Sequence, residues 1–556
     1  MNKSLITLIV CALSPIYVLA QEVFSKDIYW GNEQKKKLSE LYPEFIGLNN
    51  DKVTVVRTKT MGASLIEEYN SSTLENISKE KLKLEYNGRS LTRVDQLIFG
   101  GQIHFITSYR NKETQKKHFF IHKYLGDGLL SDPKLIGTID WQNVPGQFSL
   151  KSGSTKKMEA KKALKLVLSP NDKNILIMHP SIIEPKEGEA NTWHALSLDE
   201  NLEENWKYDF TLPSNNLYLD KVKFSNEGKV FCAGIENVKL KKKARLMTYS
   251  FLAEDCLIGE AYQLVIVDGK NKNMKVIDLA MGEGNIISYS MDLLGDEVIF
   301  YGLTGSKENV AEGVMVKKIS STGEQLFLTE EKFASNFFAL DEDLNPKSKG
   351  ISIKSKMQRN FILRDLTLSD NGDLILLAEQ FQFYTTTMTS PYSRGAGSGS
   401  MATGPSISLH YIYSDIIAIN CSSEGEIKWM NRIHKYQHSE NDYGYFSSYY
   451  AMVKGNDLYI LMNDFEYYVR FKELQDKTLK EKRKAKKKNV VSVTKISSNG
   501  EVDRKILIEV EDHVIAPRSA ALINGSLIMS GLHYDNKGLL ITPKDIKQLL
   551  GKMPIK

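Results

Sequence analysis

One phrase recurs eight times along this chain: a short apolar strand, a tight turn rich in Asn, Asp and Gly, then a second apolar strand. It begins at Phe45 (FIGLNNDKVTVV), Asp95 (DQLIFGGQIHFITS), Leu166 (LVLSPNDKNILIM), Val222 (VKFSNEGKVFCAG), Met291 (MDLLGDEVIFYG), Leu366 (LTLSDNGDLILLAE), Met452 (MVKGNDLYILMND) and Ala521 (ALINGSLIMSG). The turn residues tolerate positive φ and the flanks are β-branched or aromatic, so each copy predicts a β-hairpin. Eight hairpins of one kind constrain the chain to an internal repeat of β-sheet units.

A second, more polar hairpin follows most copies, as at Ile121 (IHKYLGDGLLSDPKLIGTI), His194 (HALSLDENLEENWKYDF), Met315 (MVKKISSTGEQLFLTEE), Ile417 (IAINCSSEGEIKWMNRI) and Val493 (VTKISSNGEVDRKILIE). Here apolar and polar residues alternate, as in strands with one wet face. An apolar hairpin followed by a polar one makes a four-stranded unit whose first two strands are expected to be the more buried. That gradient resembles the β-propeller superfamily over nearly the whole chain after residue 20. The resemblance implies an all-β ring of seven or eight blades with long loop insertions; a short strand near Val23–Tyr29 is expected to complete the last blade. No WD dipeptide, kelch double glycine or other named propeller signature is present. The alternative is a row of β-sandwich domains, but no Pro/Gly-rich linkers fall at domain-sized intervals. The repeat averages about 68 residues against the usual 40–50, so the extra length belongs in loops.

Residues 1–20 (MNKSLITLIVCALSPIYVLA) carry one Lys, an apolar run from Leu5 to Leu13, and small residues at Val18 and Ala20. This is the pattern of a signal peptide cleaved before Gln21, which predicts an exported protein, periplasmic, cell-surface or extracellular. The apolar run is too short for a permanent span, and no transmembrane segment is expected after it. Its loss removes only Lys3 among charged residues, leaving 72 basic against 68 acidic, a net charge of about +4. Such a small excess gives no nucleic-acid footprint. Cys232, Cys256 and Cys421 are too few and too irregular for a disulfide framework or a zinc site.

Two segments break the strand rhythm. Residues 385–408 are rich in Gly, Ser and Thr, a composition that does not bury enough apolar surface to order itself. Residues 472–489 are charged and lysine-dense, predicting a solvated helix or loose arm. A smaller basic run follows Lys239. All three fall between the second and third strands of their units, and in a propeller those connections emerge on the same face as the linkers between blades. Functional residues are expected on that face.

No zinc-protease, nucleophile-elbow, dinucleotide or phosphate-loop motif occurs, and no cofactor or metal is predicted. Asp341, Asp343 and Asn345 have the start of a calcium-loop spacing, but Pro346 stands where the turn needs Gly. His118/His122 and His434/His438 are four apart; on strands their α-carbons lie about 13 Å apart, too far to chelate one ion. The richest stretch is 434–450 (HKYQHSENDYGYFSSYY), an inter-blade linker with five tyrosines. It reads either as a packed linker or as a ligand platform built from Tyr436, His438, Asp442, Tyr443 and Tyr445, joined by Tyr392 from the 385–408 insertion. The functional expectation is a non-enzymatic scaffold binding a protein, peptide or glycan on the long-loop face. The alternatives are a glycan-active propeller enzyme using carboxylates, Tyr or His near the axis, or a structural subunit of an envelope complex.

Overall fold

The computed structural model describes residues 23–24, 28–32, 34–35, 45–49, 51–58, 64–140, 164–181, 189–236, 259–279, 285–306, 310–338, 360–388, 406–442, 444–486, 488–509, 513–534 and 546–555. The predicted leader, Tyr392, Tyr443, Cys256, the Lys239 run and the 341–345 acidic loop lie outside these residues.

Among the described residues eight antiparallel sheets of four or more strands follow one another along the chain, seven with their main strands in sequence order from the inside outward, beside a two-stranded ribbon of Glu85–Tyr86 with Arg89–Ser90. Every one of the eight apolar hairpins forms the first two strands of a sheet. The polar hairpins supply the outer two. Blades 1 and 4 also have outer pairs, Ser64–Asn70 with Asn76–Lys81 and Ala261–Asp268 with Asn273–Asp278, which the sequence pattern leaves unmarked.

What joins the sheets into a ring is the set of hydrophobic cores between them. Seven lie between consecutive sheets. An eighth packs Ile46, Val53 and Val55 of the first blade against Ile523, Ile528 and Leu550 of the last. Each sheet is thus covered on both faces by its neighbours, and the fold is an eight-bladed β-propeller.

The ring is latched by its own N-terminal segment. Tyr29–Trp30 adds to Ile546–Pro554 as the outermost strand of blade 8, Phe24 bridges Ile555, and Val23 and Phe24 are buried in the core between blades 7 and 8. The Trp30 ring lies over Gly531 and Gly551, where an added Cβ would come within 2.8 and 2.6 Å of it, so both positions need glycine for this closure.

Burial does not decline steadily outward as the strand gradient predicts. In blade 7 the innermost strand Tyr450–Lys454 is half-buried, whereas Asp457–Phe465 and Asn489–Ile496 hold the buried residues. The first strand has only one paired neighbour in its sheet; its other edge faces the axis, so it shares less of the apolar packing.

Candidate functional site

Up-and-down strand order sends the tight turns to one face of the disc. The connections between second and third strands, and those between blades, go to the other. Among the described residues, blades 6 and 7 carry the largest built elements of this long-loop face. In blade 6 the second and third strands, Leu374–Met388 and Ser406–Cys421, run far beyond the rest of the sheet. Gln437–Glu440 from the following linker pairs with the extension and makes a three-stranded arm. The arm begins at an irregularity in register between Glu379 and Phe381, the kind of bulge that re-aims a strand.

The arm corrects one expectation: Thr385–Met388 and Ser406–Ser408, the two ends of the 385–408 stretch, are paired strand, with Thr385 opposite Leu409 and Thr386 opposite Ser408. Low apolar content does not prevent ordering where each strand satisfies the other's backbone groups and β-branched threonines favour extension. Residues 389–405 lie outside the described residues.

Alternation gives the arm two faces. One carries Phe381, Phe383, Tyr411 and Tyr413, packed with Leu409 against Ile362. The other presents Tyr384, Thr386, His410, His438 and Glu440. Tyr384 is 42% exposed and stacks on His410 with ring centroids 4.5 Å apart. His410 Nδ1 lies 3.1 Å from His438 Nε2, and its Nε2 lies 2.8 Å from Thr386 Oγ1.

Beneath the arm is a buried set of charges. Lys435 Nζ lies 2.6 Å from Glu379 Oε1 with both side chains fully buried, and Arg364 adds a second cation at 3.3 Å. Ser448 Oγ donates to Glu379 Oε2 at 2.6 Å. Burial alone would raise the Glu379 carboxyl, but Lys435 and Arg364 hold it below its ordinary value. Arg432 donates twice to Asp415, at 2.8 and 2.5 Å. Gln437 ties the arm to blade 7 by donating to the Ser448 and Asn463 carbonyls. Asn463 in turn donates to Phe446 and, in blade 8, to Ile515. The exposed strands therefore stand on a base that joins three blades.

Of the predicted platform residues, Tyr436 and His438 are exposed on this face. Tyr445 is half-buried and its hydroxyl donates to Ser519 at 2.9 Å, a contact between the linker and blade 8. Asp442 accepts from the Gly444 amide at 2.8 Å, and burial raises its carboxyl above the ordinary value. Gly444 has φ +66° and its α-carbon abuts the Tyr413 ring, leaving no room for a side chain. The linker thus mixes both readings: Tyr436 and His438 face solvent, Tyr445 and Asp442 pack. Tyr384 and His410 complete the outward group. Tyr384 is legible in the sequence as one of the tyrosines flanking the 385–408 insertion, whereas His410 shows only in the alternation of FQFYTTT and ISLHYIY once the two are known to pair.

Nearer the axis, the innermost strand of blade 6 presents Asp365, which is exposed to solvent but surrounded by protein that raises its carboxyl despite the opposing effects of Tyr449 and Arg364. Arg518 from blade 8 donates to the Tyr413 hydroxyl at 3.1 Å. Elsewhere His118 contacts Thr138 and His122 contacts Thr107, while His434 lies 3.4 Å from Asp415. No group of three or more metal-ligating side chains occurs among the described residues. Cys232 and Cys421 are free and buried, which pushes both thiols up to about 12. No helix among the described residues is long and apolar enough to cross a membrane.

Together the strand order and the inter-blade cores define the class, an eight-bladed β-propeller. No family model and no curated protein matches the chain. Among solved structures it is similar to the Dos1 propeller, at 10% identity over 95% of this chain and 96% of that one, with a TM-score of 0.42. The polysaccharide lyase Uly1 aligns at 10% identity over 98% and 94%, TM-score 0.33. The WD40 domain of Toxoplasma gondii coronin aligns at 10% identity over 96% and 87%, TM-score 0.32. Likeness at this level carries no argument about function.

Proposed function

We propose that this protein is an exported, non-enzymatic propeller that binds a protein, peptide or glycan on its long-loop face. The observation that supports this is the blade 6 arm: its outward side sets Tyr384, His410 and His438 beside one another, while its underside is held by an aromatic core and a buried ion-pair base. Rings and hydrogen-bonding groups on a rigid support lose little freedom when a ligand arrives. Export rests on the N-terminal pattern and is checked by intact mass, which is expected to begin at Gln21.

The test of binding is Tyr384→Ala with His438→Ala, screened beside wild type on glycan and peptide panels. A well-placed ring contributes about 0.5–1.5 kcal/mol beyond area burial, so the double variant is expected to lose roughly tenfold or more in affinity. A ligand bound equally by wild type and the folded double variant overturns this reading.

A second reading, a glycan-active enzyme, has one observation in its favour: Asp365 is open to solvent on the innermost strand of blade 6, with its carboxyl raised by the protein around it and with Arg364 and Arg518 among the charges acting on it. Catalysis abolished by Asp365→Asn would establish it, and turnover unchanged in that variant would remove it.

A further inference from the structure

We propose that the helical insertion of blade 7 docks the protein on a bilayer surface carrying acidic headgroups. This surface is separate from the arm's ligand face and does not depend on it.

The insertion joins Asp457–Phe465 to Asn489–Ile496 through three short helices, Glu466–Val469, Phe471–Leu474 and Leu479–Ala485. It is a built element. Thr478 and Glu481 form a capping box, and Tyr467 and Ala485 are buried. Tyr467 packs edge-on to Tyr468 and Phe471, and Lys486 Nζ sits 4.3 Å over its ring.

Charge on the insertion is one-sided. Residues 472–489 hold nine basic residues against three acidic. Next to the blade, cations are paired: Arg470, just before this range, with Glu466 at 2.6 Å, and Lys488 with Glu509 at 2.9 Å. By contrast Lys472, Lys477, Lys480, Lys482, Arg483 and Lys484 make no ion pair among the described residues.

Which way the last helix faces follows from Ala485. At about 100° per residue, the side opposite this buried alanine is centred on Arg483 and Lys480, with Leu479 at one edge and Lys484 at the other. Leu479 is 73% exposed, the most exposed large hydrophobic residue among those described.

Cations ringing an exposed leucine select the partner. A soluble acidic polymer would satisfy the lysines and leave Leu479 in water. An acidic bilayer satisfies both, with headgroups for the cations and the acyl boundary for the leucine. One apolar side chain on a short helix contributes little by itself, so binding is chiefly electrostatic and reversible.

The test is vesicle co-sedimentation of the mature protein, using phosphatidylcholine with and without 30% (~1 in 3) phosphatidylglycerol, as a probe of the charge effect. Wild type is expected to pellet with acidic vesicles at low salt, to stay in solution with neutral ones, and to be released by high salt. The variant K480E/R483E/K484E is expected to lose well over a hundredfold in partitioning, since each basic residue near such a surface contributes about 1 kcal/mol and each new carboxylate is repelled as well. L479S is expected to lose several-fold while keeping its salt dependence. Should the charge reversal unfold the insertion, as judged by circular dichroism, K480Q/R483Q/K484Q gives the same direction with a smaller loss. Wild type that ignores acidic vesicles, or triple variants that pellet like wild type, overturns the proposal. So does L479S binding unchanged while a soluble sulfated polysaccharide competes completely, because that outcome assigns the patch to a polymer.

Discussion

Lys435→Met puts a methionine of similar length where an ammonium now meets Glu379 at 2.6 Å with no solvent on either side. Removing one member of a buried pair costs about 3–5 kcal/mol, because the other charge stays behind uncompensated. Here Glu379 keeps Arg364 at 3.3 Å and the Ser448 hydroxyl at 2.6 Å, which places the expected loss at the low end, about 3 kcal/mol. The damage should also be local. Lys435 donates to Gln437 at 2.9 Å, and Gln437 opens the third strand of the arm. Equilibrium urea unfolding measures the loss, and hydrogen exchange reports whether protection falls first at residues 437–440 and 448–450. The companion variant, Lys435→Met with Glu379→Gln, removes the carboxylate that the single variant leaves uncompensated and is expected to recover more than half of the stability. A single variant within about 1 kcal/mol of wild type, or a double variant worse than the single, would refute the assignment of this pair as the base of the arm.

Asp415 supplies a pH prediction. Burial would raise its carboxyl, yet His434 and Arg432 hold it below its ordinary 3.8. The stabilisation is therefore present above that value and is lost as pH falls through the lower folded value. Thermal melts should fall more steeply in acid for wild type than for Asp415→Asn, and parallel acid limbs would contradict this. Trp30→Ala removes the ring lying on Gly531 and Gly551 and should loosen the latch by about 2–3 kcal/mol, below the cost for a fully buried Trp because this one is half-exposed. Exchange protection lost first in Ile546–Pro554 would bear this out, and an unchanged melt would not. Limited trypsin is expected to cut first within Lys472–Lys488, where the basic side chains are mostly exposed on an insertion outside the sheets, and early fragments mapping inside the hairpin strands would count against it.

The hairpins are legible in the sequence because their determinants are local. A turn such as Asn524-Gly525 adopts positive φ at both residues whatever surrounds it, and its flanking apolar residues need only alternate or run together. The class of fold follows from repetition, since a sheet apolar on both faces must be covered on both faces. Outer pairs such as Asn273–Asp278 escape notice because they lie at the wet edge, where packing asks little of the residues. The platform is half legible. A cluster of tyrosines announces itself in 434–450, but which of them pack and which face water is not a property of the segment. Tyr445 turns inward because Ser519 of another blade receives its hydroxyl, and Tyr384 and His410 join the group because strand pairing sets two residues 26 positions apart opposite each other. The buried Glu379–Lys435 pair is invisible in one dimension for the same reason. A charge 56 positions away in the chain carries no local signature, and only the closing of blade 6 over its linker takes both groups out of water, where neither is stable alone.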